Sequence, residues 1–248
     1  MSRFTAIQIL TLALVAAAPA PAAMQNPNSP ATGVGTRLLG ASLDSVTLRA
    51  GSATYRVTLR GEAMPLRINT ELRRDSTGWI ARFESGNLVQ DTRFSSDLRP
   101  TSSETKLIQE GQPVGESRVE FADGRVTGRS VMPDQMGGTR EFNVSVPPGT
   151  VHSGMETYLV AAADLRIGSE LRFSLFSDRT GRSRERTLKV TGEERITVPA
   201  GTFEVYRLEE VGSPMRRIEY VQKAVPHVLV KSETGGDLIW ELESHTFK

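Results

Sequence analysis

After residue 45, apolar and polar residues alternate with a period of two through most of the chain. The alternation is cut at short turn signals. Val46 and Leu48 precede a turn at Ala50-Gly51-Ser52, and Tyr55, Val57 and Leu59 then alternate with Arg56, Thr58 and Arg60. Leu66, Ile68 and Leu72 alternate with Arg67, Asn69, Glu71 and Arg73. Asp75-Ser76-Thr77-Gly78 breaks the pattern, which resumes at Trp79, Ala81 and Phe83. Such a pattern predicts antiparallel strands with one wet face and one face that must be covered. Weaker strands are predicted over 102–108, 115–121, 125–131 and 141–146, poor in large apolar residues as a sheet edge would be. Further strands follow over 170–176, 182–191, 216–221, 225–231 and 238–243, with Pro226 at the start of one of them.

Ile196 to Leu208 reads as strand, tight turn, strand. Pro199 presets φ for the first corner of a type I turn, and Gly201 supplies the positive φ of a following bulge. Phe203, Val205, Tyr206 and Leu208 put apolar groups on both faces of the return strand, which predicts a hairpin at the centre of the sheet. One helix is predicted, over 153–165. Ser153 and Glu156 form a capping-box pattern, Met155, Tyr158, Leu159, Ala162 and Leu165 fall at helical spacing, and Gly168 terminates.

About thirteen strands and one helix imply a mainly β fold. The expected form is a curved antiparallel meander sheet, a half-barrel or open barrel, with the helix near 153–165 covering its open face. No linker divides it, so residues 38–248 read as a single β domain. Two stacked sub-meanders split by the helix are the alternative.

Composition adds location. Arg3 followed by a nearly unbroken apolar run from Ala6 to Ala18, and then by Ala18-Pro19-Ala20-Pro21-Ala22-Ala23, has the form of a signal peptide over 1–23. The run is shorter than the roughly 20 residues a membrane span needs, a retained anchor helix being the competing reading. Residues 24–37, rich in Pro, Gly and polar groups, read as a flexible leader. The chain has no cysteine, which removes disulfides, thiolate metal sites, Cys nucleophiles and a lipidated N-terminal cysteine. A periplasmic or secreted protein is expected, not membrane-spanning once the signal is cleaved. Its 30 basic residues nearly cancel 29 acidic ones, which gives no electrostatic reason for a nucleic-acid partner.

The segment from Asp97-Leu98-Arg99-Pro100-Thr101 through Phe121-Ala122-Asp123-Gly124 and the helix to Val198-Pro199-Ala200-Gly201-Thr202-Phe203 resembles a bacterial family of exported β proteins known only as a domain of unknown function. Its Pro-Ala-Gly-Thr-Phe hairpin carries the resemblance. The order of elements is also similar to that of LolA-like half-barrels, the periplasmic carriers of lipoproteins. The resemblance implies a bacterial cell envelope and a hydrophobic ligand, and it assigns no catalytic residue.

Local chemistry is sparse. His152, His227 and His245 stand at no metal-ligand spacing, so surface or strand histidines are the simpler reading and no metal or other cofactor is predicted. No nucleophile elbow, P-loop or dinucleotide fingerprint occurs. Glu193-Glu194 and Glu209-Glu210 are neighbours that a strand points to opposite faces, and they read as solvated charges. Arg182, Arg184 and Arg186 share one strand face. They form a candidate anion site, such as for a lipid headgroup, against a simpler reading as a solvated strand end balanced by nearby Glu, including Glu185.

Tyr55, Trp79, Phe83, Met155, Tyr158, Leu159, Phe173 and Phe203 are the candidate apolar ligand-binding residues, since in a half-barrel core and pocket share one concave surface. The sequence therefore favours a non-enzymatic periplasmic protein that binds an apolar or lipid-like envelope ligand between sheet and helix. The alternative is an interaction or assembly module that contacts another envelope protein, and a hydrolase is third.

Overall fold

The structure is a computed structural model that describes residues 47–248. The expected signal peptide, the leader and the start of the domain near Leu38 lie outside the described residues. Fifteen strands follow in chain order: β1 (Gly51–Leu59), β2 (Glu62–Arg74), β3 (Trp79–Ser85), β4 (Leu88–Phe94), β5 (Pro100–Gln109), β6 (Gln112–Ala122), β7 (Arg125–Val131) and β8 (Thr139–Ser145) precede the helix together with the three-residue β9 (Thr150–His152). A 3₁₀ turn (Ser153–Met155) leads into α1 (Glu156–Ala161). Then come β10 (Glu170–Ser177), β11 (Arg182–Val198), β12 (Gly201–Glu210), β13 (Arg217–Gln222), β14 (Leu229–Thr234) and β15 (Leu238–His245).

All fifteen belong to one sheet, ordered β8 to β1, then β15 down to β9. The two meanders on either side of the helix are thus joined where β1 pairs antiparallel with β15, with Tyr55 opposite Leu242 and Val57 opposite Trp240. The mainly antiparallel, open sheet is the predicted fold class. Turn chemistry fixes much of it. Arg60-Gly61, Glu110-Gly111 and Asp123-Gly124 all take positive φ at both positions, the two-residue turn whose twist suits a hairpin.

The ladder is not closed. β8 and β9 are the two edges, yet only residues 146–149 connect them, and so short a segment spans at most roughly 17 Å. The sheet must therefore roll until its edges meet. Side chains make that seam: the Phe142 ring of β8 lies 6.0 Å from Phe176 of β10, Phe121 of β6 lies 5.8 Å from the same ring, and Arg140 Nη1 donates to the Arg179 carbonyl at 2.9 Å. Val119, Val126, Phe142 and Phe176 form one buried cluster there.

The outer face is charged. Ion pairs such as Arg56–Glu241 (2.7 Å), Arg82–Asp91 (3.1 Å), Arg118–Glu104 (3.0 Å) and Arg129–Glu141 (3.1 Å) run across mid-strand positions. A lipid-facing barrel carries an apolar outer band instead, so this face is built for water.

Several boundaries differ from expectation. The helix runs over Glu156–Ala161 rather than to Leu165, and the side chain that caps its 3₁₀ entry is His152, not Ser153. It is also not amphipathic in place: Glu156, Tyr158, Leu159, Val160 and Ala161 are all buried, because the helix lies within the curl of the sheet. Residues 182–198 form one long strand with a bulge between Val190 and Gly192. The hairpin at Pro199-Ala200 is present, with Val198 opposite Gly201 and Gly201 at φ 134°, but it stands toward the β9 edge and not at the sheet's centre. β13 and β14 are only six residues each, so the longer hairpin leans past them, and Ala200 N–H donates to the Leu242 carbonyl of β15 at 3.0 Å. Pro226 lies in the loop before β14, not in a strand.

Candidate functional site

Two buried polar clusters hold the helix inside the roll. The first gathers around Arg186, whose side chain has no exposed surface. Alternation does place Arg182, Arg184 and Arg186 on one face, but the strand dives into the core as it goes. Arg182 is exposed, Arg184 is half-exposed and Arg186 is enclosed. Arg186 faces Glu210 at 3.2 Å and Glu219 at 3.1 Å, and it is ion-paired with Glu156 of α1. Arg217 reaches Glu219 at 2.9 Å and Glu156 at 3.9 Å, and Arg184 reaches Glu210 at 2.9 Å.

Three guanidinium groups thus meet three carboxylates, and the set is neutral. The expected solvated strand end is therefore corrected: the balancing groups are Glu156, Glu210 and Glu219, not Glu185. Glu210 is not a solvated charge, since its side chain is nearly enclosed. Burial, reinforced by Arg217, pushes the Arg186 guanidinium down to about 10, still well above neutral pH. Burial alone would raise the Glu219 carboxyl, yet Arg217 and Arg186 hold it below the usual range.

The second cluster surrounds His152, which of the two expected settings, surface or strand, takes the strand: it lies on β9 and is fully buried. Gly154 N–H donates to His152 Nδ1 at 3.0 Å, and the Thr92 hydroxyl stands 3.2 Å from the same nitrogen. The ring's proton is therefore on Nε2, which faces Asp178 Oδ1 at 3.9 Å without a hydrogen bond. Asp178 Oδ2 accepts from Thr105 at 3.0 Å, and Ser103 stands 3.0 Å from Thr92. Hydroxyl, imidazole and carboxyl occur in the order of a nucleophilic triad. Thr92 and His152, however, have no exposed surface for a substrate to reach. Among the described residues, no group of three His, Asp or Glu is arranged to hold a metal ion.

An open recess lies along the helix on the β1–β2 side. This recess of about 30 Å³ is bounded by Tyr158, Thr157 and Ala161 of the helix and by Tyr55 and Leu72 of the sheet, with Phe247, the 226–228 loop and Leu229 of β14 beyond. His227 Nδ1 donates to the Gln222 carbonyl at 2.9 Å. Burial pushes the Tyr55 and Tyr158 hydroxyls well above the ordinary tyrosine range, so both stay neutral. An aromatic path continues outward: the His245 ring is 6.4 Å from Phe247, and Phe203 is 6.3 Å from His245.

Of the candidate apolar residues, Tyr55 and Tyr158 line the recess and Phe203 stands at the end of that path. Met155 and Leu159 are sealed against the sheet, and Phe173 is buried on β10 opposite Arg186. Trp79 is buried with Arg74 over its ring, and Phe83 packs 6.4 Å from Trp240. The alternating pattern does not mark Thr157 or Phe247, which start the helix and follow β15, and it extends a strand over 226–228, which are the connection before β14.

Residues 41–234 match a family described as a protein of unknown function, DUF3108. The chain belongs to the DUF3108 family. No curated protein matches it significantly. Among solved structures, the beta-barrel-like protein of the domain of unknown function DUF1849 from Brucella abortus is 14% identical. The match covers 81% of this chain and 98% of that one with a TM-score of 0.54, and it bears on fold alone. An exported-type protein with a YmcC-like fold from Bacteroides fragilis is 12% identical over 84% of this chain and all of that one, but its TM-score of 0.31 carries no argument.

Proposed function

We propose that this DUF3108-family protein is a non-enzymatic binding protein of the bacterial envelope that takes an apolar or lipid-like group into the recess beside its helix. The observation that carries the reading is that recess: mostly apolar walls, hydroxyls from Tyr55, Tyr158 and Thr70, one cationic residue, Arg49, in the lining, and an aromatic path leading away from it. Its size sets the ligand's form. Sites that enclose a whole small molecule run to about 300–1,000 Å³, whereas about 30 Å³ holds only the tip of a chain. An acyl end would enter between Thr157 and Ala161 while the rest of the molecule lies over Phe247, His245 and Phe203.

Export rests on the apolar N-terminal segment, and the kinship with carrier half-barrels belongs to the same proposal. The enclosed Thr92–His152–Asp178 group gives no reachable nucleophile, which favours binding over hydrolysis. A second reading has its own support: Val225 is 53% exposed beside the recess, so a partner protein's apolar side chain could be the occupant.

Native mass spectrometry of the full chain, extracted gently and then supplied with envelope lipid, tests the proposal. Wild type should carry one apolar adduct, and Thr157→Trp, which fills the mouth, should carry none. Absence of any adduct after lipid addition would reject the lipid reading. A stoichiometric protein crosslinked through position 225 would replace it with the second.

A further inference from the structure

The His152 cluster is more than packing, because it fixes the start of the helix through a bond that only a neutral imidazole can make. The first N–H groups of a helix have no partner within it. Here one of them, from Gly154, is taken by His152 Nδ1. We propose that His152 is an acid-sensitive latch: its protonation releases the 3₁₀ turn and the first turn of the helix from the sheet.

The geometry gives the mechanism. A proton on Nδ1 turns the acceptor into a donor that points at the Gly154 N–H, so the cap is lost. The imidazolium then gains from Asp178, whose Oδ1 at 3.9 Å from Nε2 is about 1 Å beyond an ordinary hydrogen bond. Closing that gap moves the ring away from the cap.

The Thr92 hydroxyl, 3.2 Å from Nδ1, can accept from the protonated ring, but that returns no acceptor to the Gly154 N–H, so the cap stays broken. β4 presents the Thr92 hydroxyl, β5 presents Ser103 and Thr105, β6 presents the Phe121 ring edge-on at 5.9 Å, and the end of β10 brings Asp178. The charges of those strands, Asp91 and Arg93 on β4, Glu104 and Lys106 on β5, and Arg118 and Glu120 on β6, fall at the alternate positions that face outward. On β8, Arg140 is engaged with the Arg179 carbonyl, and on the helix Glu156 turns to Arg186. Among the described residues, Asp178 is the one charge opposite the ring.

β9 has little to resist the change. It is three residues long and pairs with β10 over only Thr150, Val151 and His152. Release would move Thr157 and Tyr158, one wall of the recess, so acid would also loosen whatever sits there. That last consequence rests on the ligand reading, whereas the latch does not.

The sign is set by burial, which holds the His152 pKa below its ordinary value of 6.5. A base depressed in the folded state contributes stability above 6.5 and loses it as pH falls below 6.5. The opening equilibrium of the latch should therefore rise by up to about tenfold per pH unit below 6.5, until the folded pKa is reached.

Amide hydrogen exchange of the full chain without ligand, corrected for intrinsic rates between pH 7.5 and 5.0, reads this directly. Peptides covering 150–161 should open progressively in acid while peptides of β1 to β3 do not. His152→Asn keeps an oxygen acceptor for the Gly154 N–H but does not titrate, and its exchange should be flat with pH. A flat wild type, or the same acid rise in the Asn variant, overturns the proposal. Should His152→Asn fail to fold, Asp178→Asn removes the anion that draws the imidazolium. The rise should then move to lower pH, and an unmoved rise counts against the latch.

Discussion

Replacing Arg186 by methionine keeps much of the side chain's volume and removes its charge from a site with no solvent access. Before the change, Arg184, Arg186 and Arg217 balance Glu156, Glu210 and Glu219. Afterwards two cations face three carboxylates inside the roll. Removing one member of a buried ion pair typically costs about 3–5 kcal/mol, most of it the penalty for the charge left behind. Arg186→Met should fall in that range. Glu156→Gln in the same chain restores the balance, and the pair should couple by about 1–3 kcal/mol in the double-mutant cycle. Urea denaturation at pH 7.5, followed by circular dichroism, measures all three variants. The reasoning fails if Arg186→Met costs under about 1 kcal/mol, or if adding Glu156→Gln makes the protein still less stable by the full single-variant amount. The balance also has a pH limit. Arg217 and Arg186 hold Glu219 below 4.5 in the folded state, so its contribution is present above 4.5 and lost as pH falls through the folded value.

Other variants separate packing from polar anchoring. Leu159→Ala opens a hole against the sheet at a residue with no exposure, and thermal or urea unfolding should register a loss of about 2–5 kcal/mol. Gly154→Ala places a Cβ 2.5 Å from Gln90 Oε1 and closer still to Thr92 Oγ1, so it should destabilise by more than about 1 kcal/mol and raise exchange over 150–161 at pH 7.5. Tyr158→Phe removes a buried hydroxyl without a well-formed hydrogen bond. Its denaturation midpoint should stay within about 1 kcal/mol of wild type or rise. Arg67→Ala breaks a half-exposed outer pair with Glu243 and should change stability by less than about 1 kcal/mol.

The period-two pattern made most strands legible, since a one-sided sheet repeats its burial every second residue. It failed where the inner face is polar. β4 went unread because its inward positions include Gln90 and Thr92, which serve the His152 cluster and not an oily core. The helix is legible, but its role as an enclosed plug is not, because Glu156 fits a capping box in sequence and only the fold brings Arg186 beside it. Arg186 itself was found by alternate spacing, yet its partners sit on α1, β12 and β13, with Glu219 33 residues away in sequence. No local signal links such positions. The recess was half legible: Tyr55 and Tyr158 follow from strand and helix periodicity, whereas Phe247 and the 226–228 loop meet them only because β1 pairs with β15.

The claim on which the functional account turns is that an apolar group enters beside the helix. Titration of the ¹⁵N-labelled protein with decanoate, followed by NMR, addresses it most directly. The account expects saturable shifts at Thr157, Ala161, Val228 and Leu229, abolished by Thr157→Trp. Shifts confined to the charged outer face of the sheet, or none up to millimolar decanoate, would contradict it.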